Sequence, residues 1–309
     1  MIKRTLYFGN PAYLSLADQQ LVIKLPEVEQ SISLESHLKK EMVRTIPIED
    51  IGLIVIDNKR VTLTSGIIEA LLKNNTSLVT CDSRSMPQGL ILPLTGNTIQ
   101  NERFRAQLDA SVPLKKQLWQ QTISQKIANQ SVVLSISAST ECGCMNVWSK
   151  DVRSGDPENL EARAAAYYWR NLFPQIDGFT RQRDGMYPNN LLNYGYAILR
   201  AVIARALVGS GLLPTLGIHH QNRYNAYCLA DDIMEPYRPY VDKLVIDLMR
   251  RYPGEELTRE IKAELLTIPT LDVIVKGKRS PLMVAASMTT ASLAKCFEGE
   301  IRKIDYPVM

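Results

Sequence analysis

The hydrophobic pattern of this chain changes near Pro93, and this change constrains the fold more than any other feature of the sequence. Before Pro93, short runs of leucine and β-branched residues alternate with turn signals such as the Gly-Asn-Pro at 9–11, which is typical of short strands. After Pro93, apolar residues recur three or four positions apart, as on one face of a helix. We therefore predict an α+β protein, with a small β-rich domain over residues 1–94 and a larger all-α domain over residues 95–309.

The N-terminal part carries signals for one hairpin, further strands and one helix. Residues 13–16 and 21–25 flank a polar Ala-Asp-Gln-Gln turn and predict a β-hairpin. Residues 64–73 place apolar side chains at helical spacing before a pair of asparagines, which predicts the helix. The remaining strands are predicted at 5–8, 51–56, 78–81 and 90–94.

The C-terminal part is predicted to form successive helices. Pro113 divides the helical pattern of 101–130 into two segments, because proline disrupts a helix interior. Segment 189–208 is apolar nearly all round, which predicts a buried central helix. Asp-Pro at 156–157 and Ser-Pro at 280–281 each place a capping residue before proline, a common helix start. These signals predict helices over 101–130, 157–173, 189–208, 230–252 and 281–297.

Composition places the chain among globular proteins. It has 309 residues, of which 45% are hydrophobic and 22% charged, close to the average for a soluble domain. Asn193, Arg200 and Arg205 interrupt the longest apolar stretch, so we expect no membrane span. No signal-peptide core follows the N-terminus and the five cysteines are an odd number. We therefore expect a cytoplasmic protein with reduced thiols.

The net charge of +4 lies entirely in the second part of the chain. Residues 1–94 hold ten Lys or Arg against ten Asp or Glu, so the whole excess follows residue 94. A polyanionic partner is compatible with this charge balance but is not required by it. For nucleic-acid binding, the clustering of basic residues on one face matters more than the total net charge.

Two of the three histidines stand together, and carboxylates elsewhere could share a site with them. His219 and His220 follow the predicted central helix, and Asp232 and Glu235 are three residues apart in an apolar stretch, which would place them on one helix face. Glu161 precedes a run of alanines that permits another helix to approach. Plainer interpretations stay open, namely an exposed histidine pair and an acidic turn at a helix start.

One imidazole and carboxylates from separate helices form a nitrogen and oxygen donor set suited to Mg²⁺ or Mn²⁺. Because imidazole is unusual for Mg²⁺, we expect Mn²⁺ to support activity at least as well. A structural zinc site is disfavoured because Cys142 and Cys144 form a lone C-x-C sequence, unlike the spacing of zinc fingers.

The segments around these residues resemble signatures of the CRISPR-associated integrase family, the larger universal subunit of spacer acquisition. The resemblance extends over essentially the whole chain. The sequences of the histidine segment and of the Met-Glu-Pro segment are most similar to those of members from type II systems. The segments that carry it are EARAAAYYW at 161–169, NLLNYGYAIL at 190–199, GLLPTLGIHH at 211–220 and ADDIMEPYRP at 230–239.

The resemblance implies a set of site residues. Glu161, His220 and Glu235 fall on the family's metal ligands and would be the catalytic residues, with Mg²⁺ or Mn²⁺ as cofactor. Asp232 stands where the family often has an acidic residue beside the metal. His219 is either an adjacent DNA contact or a structural residue.

The resemblance also implies an activity and partners. The enzyme would join the 3′-hydroxyl ends of captured DNA fragments to a CRISPR repeat by transesterification, without a covalent enzyme intermediate. The implied partners are a second copy of the chain, a small ferredoxin-like adaptation subunit, double-stranded fragment and repeat DNA, and, as a further candidate, the type II effector nuclease. Dimerisation and partner docking are expected in residues 1–94, and catalysis and DNA binding in residues 95–309.

Basic residues near the site are candidates for contacts to DNA phosphates, although a basic residue of this kind is more often a solvated surface charge. Two alternative functions also stay open, a catalytically idle DNA-binding scaffold and a structure-selective, metal-dependent DNA endonuclease. The candidate DNA contacts are Arg163, Arg181, Arg183, Arg223, Lys276, Lys278 and Arg279.

Overall fold

The chain folds into a β-rich unit followed by a mainly helical unit. The computed structural model describes residues 3–29, 31, 37, 41–137, 142–182, 185, 187–252, 254 and 256–309. The two compact units are Met1–Leu94 and Thr95–Met309. The predicted α+β class is confirmed, since strands dominate the first unit and helices the second.

Within its described residues, the first unit contains two four-stranded sheets, two helices and a 3₁₀ turn at Ile48–Asp50. Its helices are α1 (Pro26–Glu29) and α2 (Ser65–Lys73). Its strands are β1 (Arg4–Phe8), β2 (Ala12–Ala17), β3 (Gln20–Lys24), β4 (Arg44–Pro47), β5 (Ile51–Ile56), β6 (Val61–Leu63), β7 (Ser77–Cys81) and β8 (Pro87–Ile91).

One sheet has the order β1-β5-β7-β8, in which β8 alone is antiparallel to its neighbour, and the other has the order β4-β3-β2-β6. The predicted hairpin is present as β2 and β3, with positive φ angles at Asp18 and Gln19. Ile67 and Leu71 of α2 are fully buried in a core that both sheets share.

The strand predicted at 90–94 begins and ends earlier than expected. It is β8, which pairs with β7 so that Leu78 lies opposite Ile91. The pairing ends there because β7 begins at Ser77 and Pro93 has no N–H to extend a ladder. Sequence patterns also missed the short elements α1, β4 and β6.

The second unit contains nine helices among its described residues, together with one β-hairpin and 3₁₀ turns at Glu235–Tyr237 and Ile268–Thr270. The hairpin strands are β9 (Asp272–Val275) and β10 (Lys278–Pro281). The helices are α3 (Gln100–Leu108), α4 (Val112–Ser137), α5 (Gly143–Asp151), α6 (Leu160–Leu172), α7 (Asn189–Gly209), α8 (Cys228–Met234), α9 (Arg238–Arg251), α10 (Arg259–Leu265) and α11 (Leu282–Phe297).

Helix α7 is the central helix of this unit. Among the described helices it is the one long and apolar enough to cross a membrane by length and composition, despite Arg200 and Arg205. However, 83% of its most apolar window is buried inside the folded unit. Its hydrophobicity is therefore accounted for by the protein core, where it packs against α8, α9 and α11.

Helix α4 continues to Ser137 rather than ending at residue 130. Three other predicted helix boundaries were wrong for local reasons. Helix α6 begins at Leu160 rather than 157, because Asp156 and Asn159 adopt positive φ angles. Pro281 belongs to β10, so α11 begins one residue later than predicted. The helix predicted over 230–252 is divided into α8 and α9 by the 3₁₀ turn around Pro236, whose missing N–H removes a helical hydrogen bond.

Candidate active site

Glu161 lies at the N-terminus of α6, which the side chain of Asp156 caps. The two carboxylate oxygens of Asp156 accept hydrogen bonds from the backbone N–H groups of Leu160 and Glu161, both at 2.9 Å. These bonds satisfy donors that a helix leaves unpaired at its start. The cap therefore fixes the backbone from which the Glu161 side chain projects.

Glu161 and Glu235 converge on one ammonium group. Lys126 of α4 places Nζ 2.7 Å from Glu161 Oε1 and 2.7 Å from Glu235 Oε2. The side chains of Lys126 and Glu235 are only 10% and 4% exposed. Charges this buried require close partners, so the three side chains form one electrostatic unit.

Arg238 supplies a second cation to Glu235. Its guanidinium lies 3.0 Å from Glu235 Oε1 and 5.0 Å from the centre of the Tyr196 ring. Burial acts to raise the pKa of Glu235, but the charges of Arg238 and Lys126 outweigh it and hold that pKa below its usual value. Burial acts to lower the pKa of Lys126, but the negative charges of Glu235 and Glu161 outweigh it and raise that pKa above its usual value. Both partners are therefore ionised in the folded protein.

His220 is oriented by Asp232. The carboxylate of Asp232 is fully buried and its Oδ1 lies 2.5 Å from Nδ1 of His220, while Oδ2 accepts a hydrogen bond from the His219 backbone at 2.9 Å. The hydrogen bond to Asp232 raises the pKa of His220, and the negative charges of Glu235 and Glu161 add to the effect. The imidazole side chain is 47% exposed, and Nε2 is the ring nitrogen that Asp232 does not engage.

The loop that carries His219 and His220 is exposed to solvent on one side and contacts buried residues on the other. The His219 ring stacks on the buried Trp119 ring with 4.1 Å between centres, so the structure places His219 in a packing contact. Gly217 lies where an added Cβ would be 2.3 Å from the carbonyl oxygen of His220 and 2.8 Å from Asp232 Oδ2. Only glycine fits here without displacing the loop.

The buried carboxylate of Asp242 is connected to this site through Tyr196 and Arg238. Tyr168 donates a hydrogen bond to Asp242 Oδ2 at 2.8 Å, and Tyr196 donates one to Oδ1. Because Arg238 lies over the Tyr196 ring, the chain of contacts runs from Asp242 through Tyr196 and Arg238 to Glu235. Burial raises the pKa of Asp242 to about 6, although its tyrosine donors oppose that change.

We expect Asp242→Asn to change how stability depends on pH. The folded-state pKa of Asp242, about 6, exceeds the ordinary aspartate value of 3.8, so between these values the native state binds more protons than the unfolded chain. Stability of the wild type relative to the variant should therefore fall by up to about 3 kcal/mol as the pH rises from 4 to 6, and then level off.

Urea unfolding of both proteins at a series of pH values measures this difference. Asp247→Asn is the matched control on the same helix, because Asp247 is 40% exposed and pairs with Lys243 at the surface. Parallel stability curves for the wild type and Asp242→Asn would contradict the expectation.

The donor set fits a divalent cation in charge and chemistry. Glu161 and Glu235 already hold one cation, the ammonium group of Lys126. Glu235 Oε2 forms an ion pair with this group at 2.7 Å but accepts no well-aligned hydrogen bond from the described residues. A histidine whose other nitrogen faces a carboxylate is the usual arrangement of an imidazole metal ligand. Within the described part of the chain, however, no three His, Cys, Asp or Glu side chains lie together in ligating geometry. Lys126 occupies the space between the carboxylates instead.

The predicted DNA contacts differ in what they touch. Arg181 donates to Asn189 Oδ1 at 3.0 Å and to Asn193 Oδ1 at 2.7 Å, and lies 5.1 Å from the centre of the Tyr196 ring. It is therefore committed to contacts within the protein. Arg183 lies outside the described residues.

The basic hairpin is exposed. Lys276, Lys278 and Arg279 surround the turn between β9 and β10, where Lys276 lies 2.7 Å from an aspartate on the C-terminal segment. Arg163 and Arg223 are also exposed, with their guanidinium groups over the rings of Trp148 and Tyr224. These five residues stay candidates for phosphate contacts.

Sequence reasoning missed Lys126, the cation that Glu161 and Glu235 share. Lys126 lies between the buried residues Ile123 and Ile127 on α4, so a lysine within an apolar pattern was the available signal. Asn129 follows one turn later and donates to the carbonyl of Pro236 at 2.8 Å. Neither contact is visible in the sequence, because both join segments far apart along the chain.

Comparison with known proteins identifies the family. Residues 7–260 match the family described as CRISPR associated protein Cas1. The chain is 39% identical over 294 residues to the CRISPR-associated endonuclease Cas1 of Neisseria meningitidis serogroup C (strain 8013), covering 94% of this chain and 91% of that one.

Solved structures share the fold. A casposase bound to integration product superposes with a TM-score of 0.76 at 22% identity, over 98% of this chain and 92% of that one. A chain of a Cas6-RT-Cas1–Cas2 complex gives a TM-score of 0.71 at 17% identity, over 98% of this chain and 36% of that one. The sequence match over most of the chain, together with this fold, shows that the chain belongs to the Cas1 family of CRISPR-associated proteins.

Proposed function

We propose that this chain is a metal-dependent DNA integrase that joins the 3′-hydroxyl ends of captured DNA fragments to a CRISPR repeat by direct transesterification. The observation that carries the proposal is the convergence of Glu161 and Glu235 on one cation, together with a histidine that Asp232 orients. The Neisseria relative is named an endonuclease and the casposase is bound to an integration product. Both names support chemistry on DNA phosphodiesters.

The site residues have separate roles in this reaction. Glu161, Glu235 and His220 would hold Mg²⁺ or Mn²⁺, and Asp232 keeps the imidazole in the orientation that presents Nε2. A divalent cation held there would neutralise charge that develops on the phosphoryl oxygens and would orient the attacking and leaving oxygens. Asp156 and Arg238 position the two glutamates. Because the fragment hydroxyl is itself the nucleophile, the reaction needs no covalent enzyme intermediate.

In the proposed assembly, two homodimers of this chain are bridged by a dimer of a small ferredoxin-like adaptation subunit and bind DNA, in the cytoplasm. A structure with the same fold contains Cas2, which supports a subunit of that kind as partner. The type II effector nuclease is a further proposed partner, on the strength of the sequence resemblance. DNA affinity should fall with salt, because phosphate contacts release counterions.

Strand transfer with purified protein tests the proposal. A labelled duplex with 3′-hydroxyl ends is incubated with a repeat-containing target, with and without the small subunit, in Mn²⁺, Mg²⁺ or EDTA. We expect a joined product in Mn²⁺ and Mg²⁺ but not in EDTA. DNA binding without any metal-dependent product would indicate the catalytically idle scaffold instead.

A structure-selective endonuclease is the second candidate, because the Neisseria relative carries the name endonuclease. A fragment with 3′-dideoxy ends separates the two activities, since it lacks the attacking hydroxyl. An integrase should give no joined product with this fragment. Metal-dependent cleavage of branched DNA, with no joining of either fragment, would favour the endonuclease.

A further inference from the structure

Lys126 is an unusual neighbour for a metal site. Its stem lies in the core of the second unit, beside the fully buried Ile123 and Ile127. Its ammonium contacts one oxygen of each proposed carboxylate ligand, at 2.7 Å in both cases. A cation of this chain thus stands where the carboxylates would hold a metal ion.

The charges of this cluster are already balanced. Glu161 and Glu235 carry two negative charges, and Lys126 and Arg238 carry two positive charges within 3.0 Å of them. Asp232 is engaged separately with His220. Cations of the protein itself therefore neutralise both carboxylates.

A divalent ion cannot simply join this arrangement. It would contact the carboxylate oxygens that Lys126 now holds, and would lie within a few ångströms of the ammonium. Like charges at such a separation repel strongly where water is excluded. Lys126 has a flexible four-carbon stem, whereas Arg238 is also held over the Tyr196 ring. The lysine is therefore the cation that can leave.

We propose that Lys126 is an internal competitor for the divalent cation, which neutralises Glu161 and Glu235 in the metal-free protein and leaves them when the metal binds. This inference rests on the metal site of the proposed function. It gives Lys126 a role in setting metal affinity, since each binding event must displace the ammonium. It also gives the metal-free site a defined structure in place of two repelling carboxylates.

Removal of the lysine charge should tighten metal binding. We expect Lys126→Met and Lys126→Gln to bind Mn²⁺ about tenfold more tightly than the wild type, or more, as measured by electron paramagnetic resonance of free Mn²⁺ during titration. Without metal the melting temperature of these variants should fall, and saturating Mn²⁺ should raise it by more than in the wild type. Lys126→Arg keeps the charge and should bind Mn²⁺ as weakly as the wild type.

Control variants separate this inference from the proposed site. Lys243→Met removes a half-exposed lysine paired with Asp247 and should leave Mn²⁺ affinity unchanged. Glu161→Gln, added to Lys126→Met, should abolish the tight binding. If Lys126→Met binds Mn²⁺ no more tightly than the wild type while Glu161→Gln still weakens binding, the competitor role is wrong and the metal site stands. If Glu161→Gln has no effect in either background, the ligand set itself is wrong.

Lysine labelling of the wild type keeps the test independent of variants that fail to fold. An amine-acylating reagent is applied with and without saturating Mn²⁺, and modification at Lys126 is measured by peptide mass spectrometry. We expect Mn²⁺ to increase labelling at Lys126 and to leave Lys243 unchanged. Equal labelling of Lys126 in both conditions would show that its ammonium stays on the carboxylates, and would overturn the inference.

Discussion

Glu161→Gln is expected to reduce strand transfer by about a hundredfold or more while leaving the fold intact. The substitution keeps the shape of the side chain, so the Asp156 cap and the packing of α6 should survive. It removes one of the two negative charges that converge on Lys126, and with it the attraction for a divalent cation. His220→Ala should lose a similar factor, because it removes the imidazole that Asp232 orients.

The measurement is the initial rate of joined product at saturating Mn²⁺, together with DNA binding and thermal unfolding of each variant. Glu158→Gln is the matched control, since Glu158 lies just before α6 and pairs with Arg153 at the surface. It should retain wild-type transfer. Unchanged transfer in both Glu161→Gln and His220→Ala would show that the reaction takes place elsewhere.

Gly217→Ala is expected to lower strand transfer by about a hundredfold without removing any proposed ligand. Its Cβ would lie 2.3 Å from the His220 carbonyl oxygen and 2.8 Å from Asp232 Oδ2. The His220 contact is to backbone and Asp232 is fully buried, so the loop itself must move. That movement should break the contact between Asp232 and His220.

The packing strain should also lower the free energy of unfolding by about 1–3 kcal/mol. Gly143→Ala is the control, because an added Cβ at Gly143 meets nothing within 4 Å. Strand transfer, DNA binding and urea unfolding are compared for both variants. Wild-type transfer by Gly217→Ala would contradict the view that the loop conformation positions His220.

Most elements of the fold were predictable because their signals are local. The β2–β3 hairpin, the helix α2 and the long apolar helix α7 each follow from a periodic pattern bounded by a turn or glycine. The errors arose where a boundary depends on backbone conformation or on a partner strand. Helix α6 begins late because of the positive φ angles at Asp156 and Asn159, and β8 ends where its pairing with β7 ends.

The site was predictable in part. The resemblance supplied Glu161, His220 and Glu235 as candidates, and the structure brings the two glutamates to one cation and orients His220 through Asp232. Their roles as metal ligands stay a prediction for the Mn²⁺ and strand-transfer measurements. Lys126 was not predictable as a partner of the two glutamates, since no local pattern links it to either of them. Arg238 lies three residues after Glu235, so this partner was within reach of the sequence.

By itself, the amino-acid sequence determined most of the longer strands and helices, the change from strands to helices near residue 94 and the residue types capable of binding a cation. These properties follow from hydrophobic period, capping and side-chain chemistry, which act over a few residues. Only the tertiary structure decided that a lysine stands between Glu161 and Glu235 and that a buried aspartate orients His220. Such contacts form when distant helices pack together, because burial of a charge requires an opposite charge from whichever segment lies beside it.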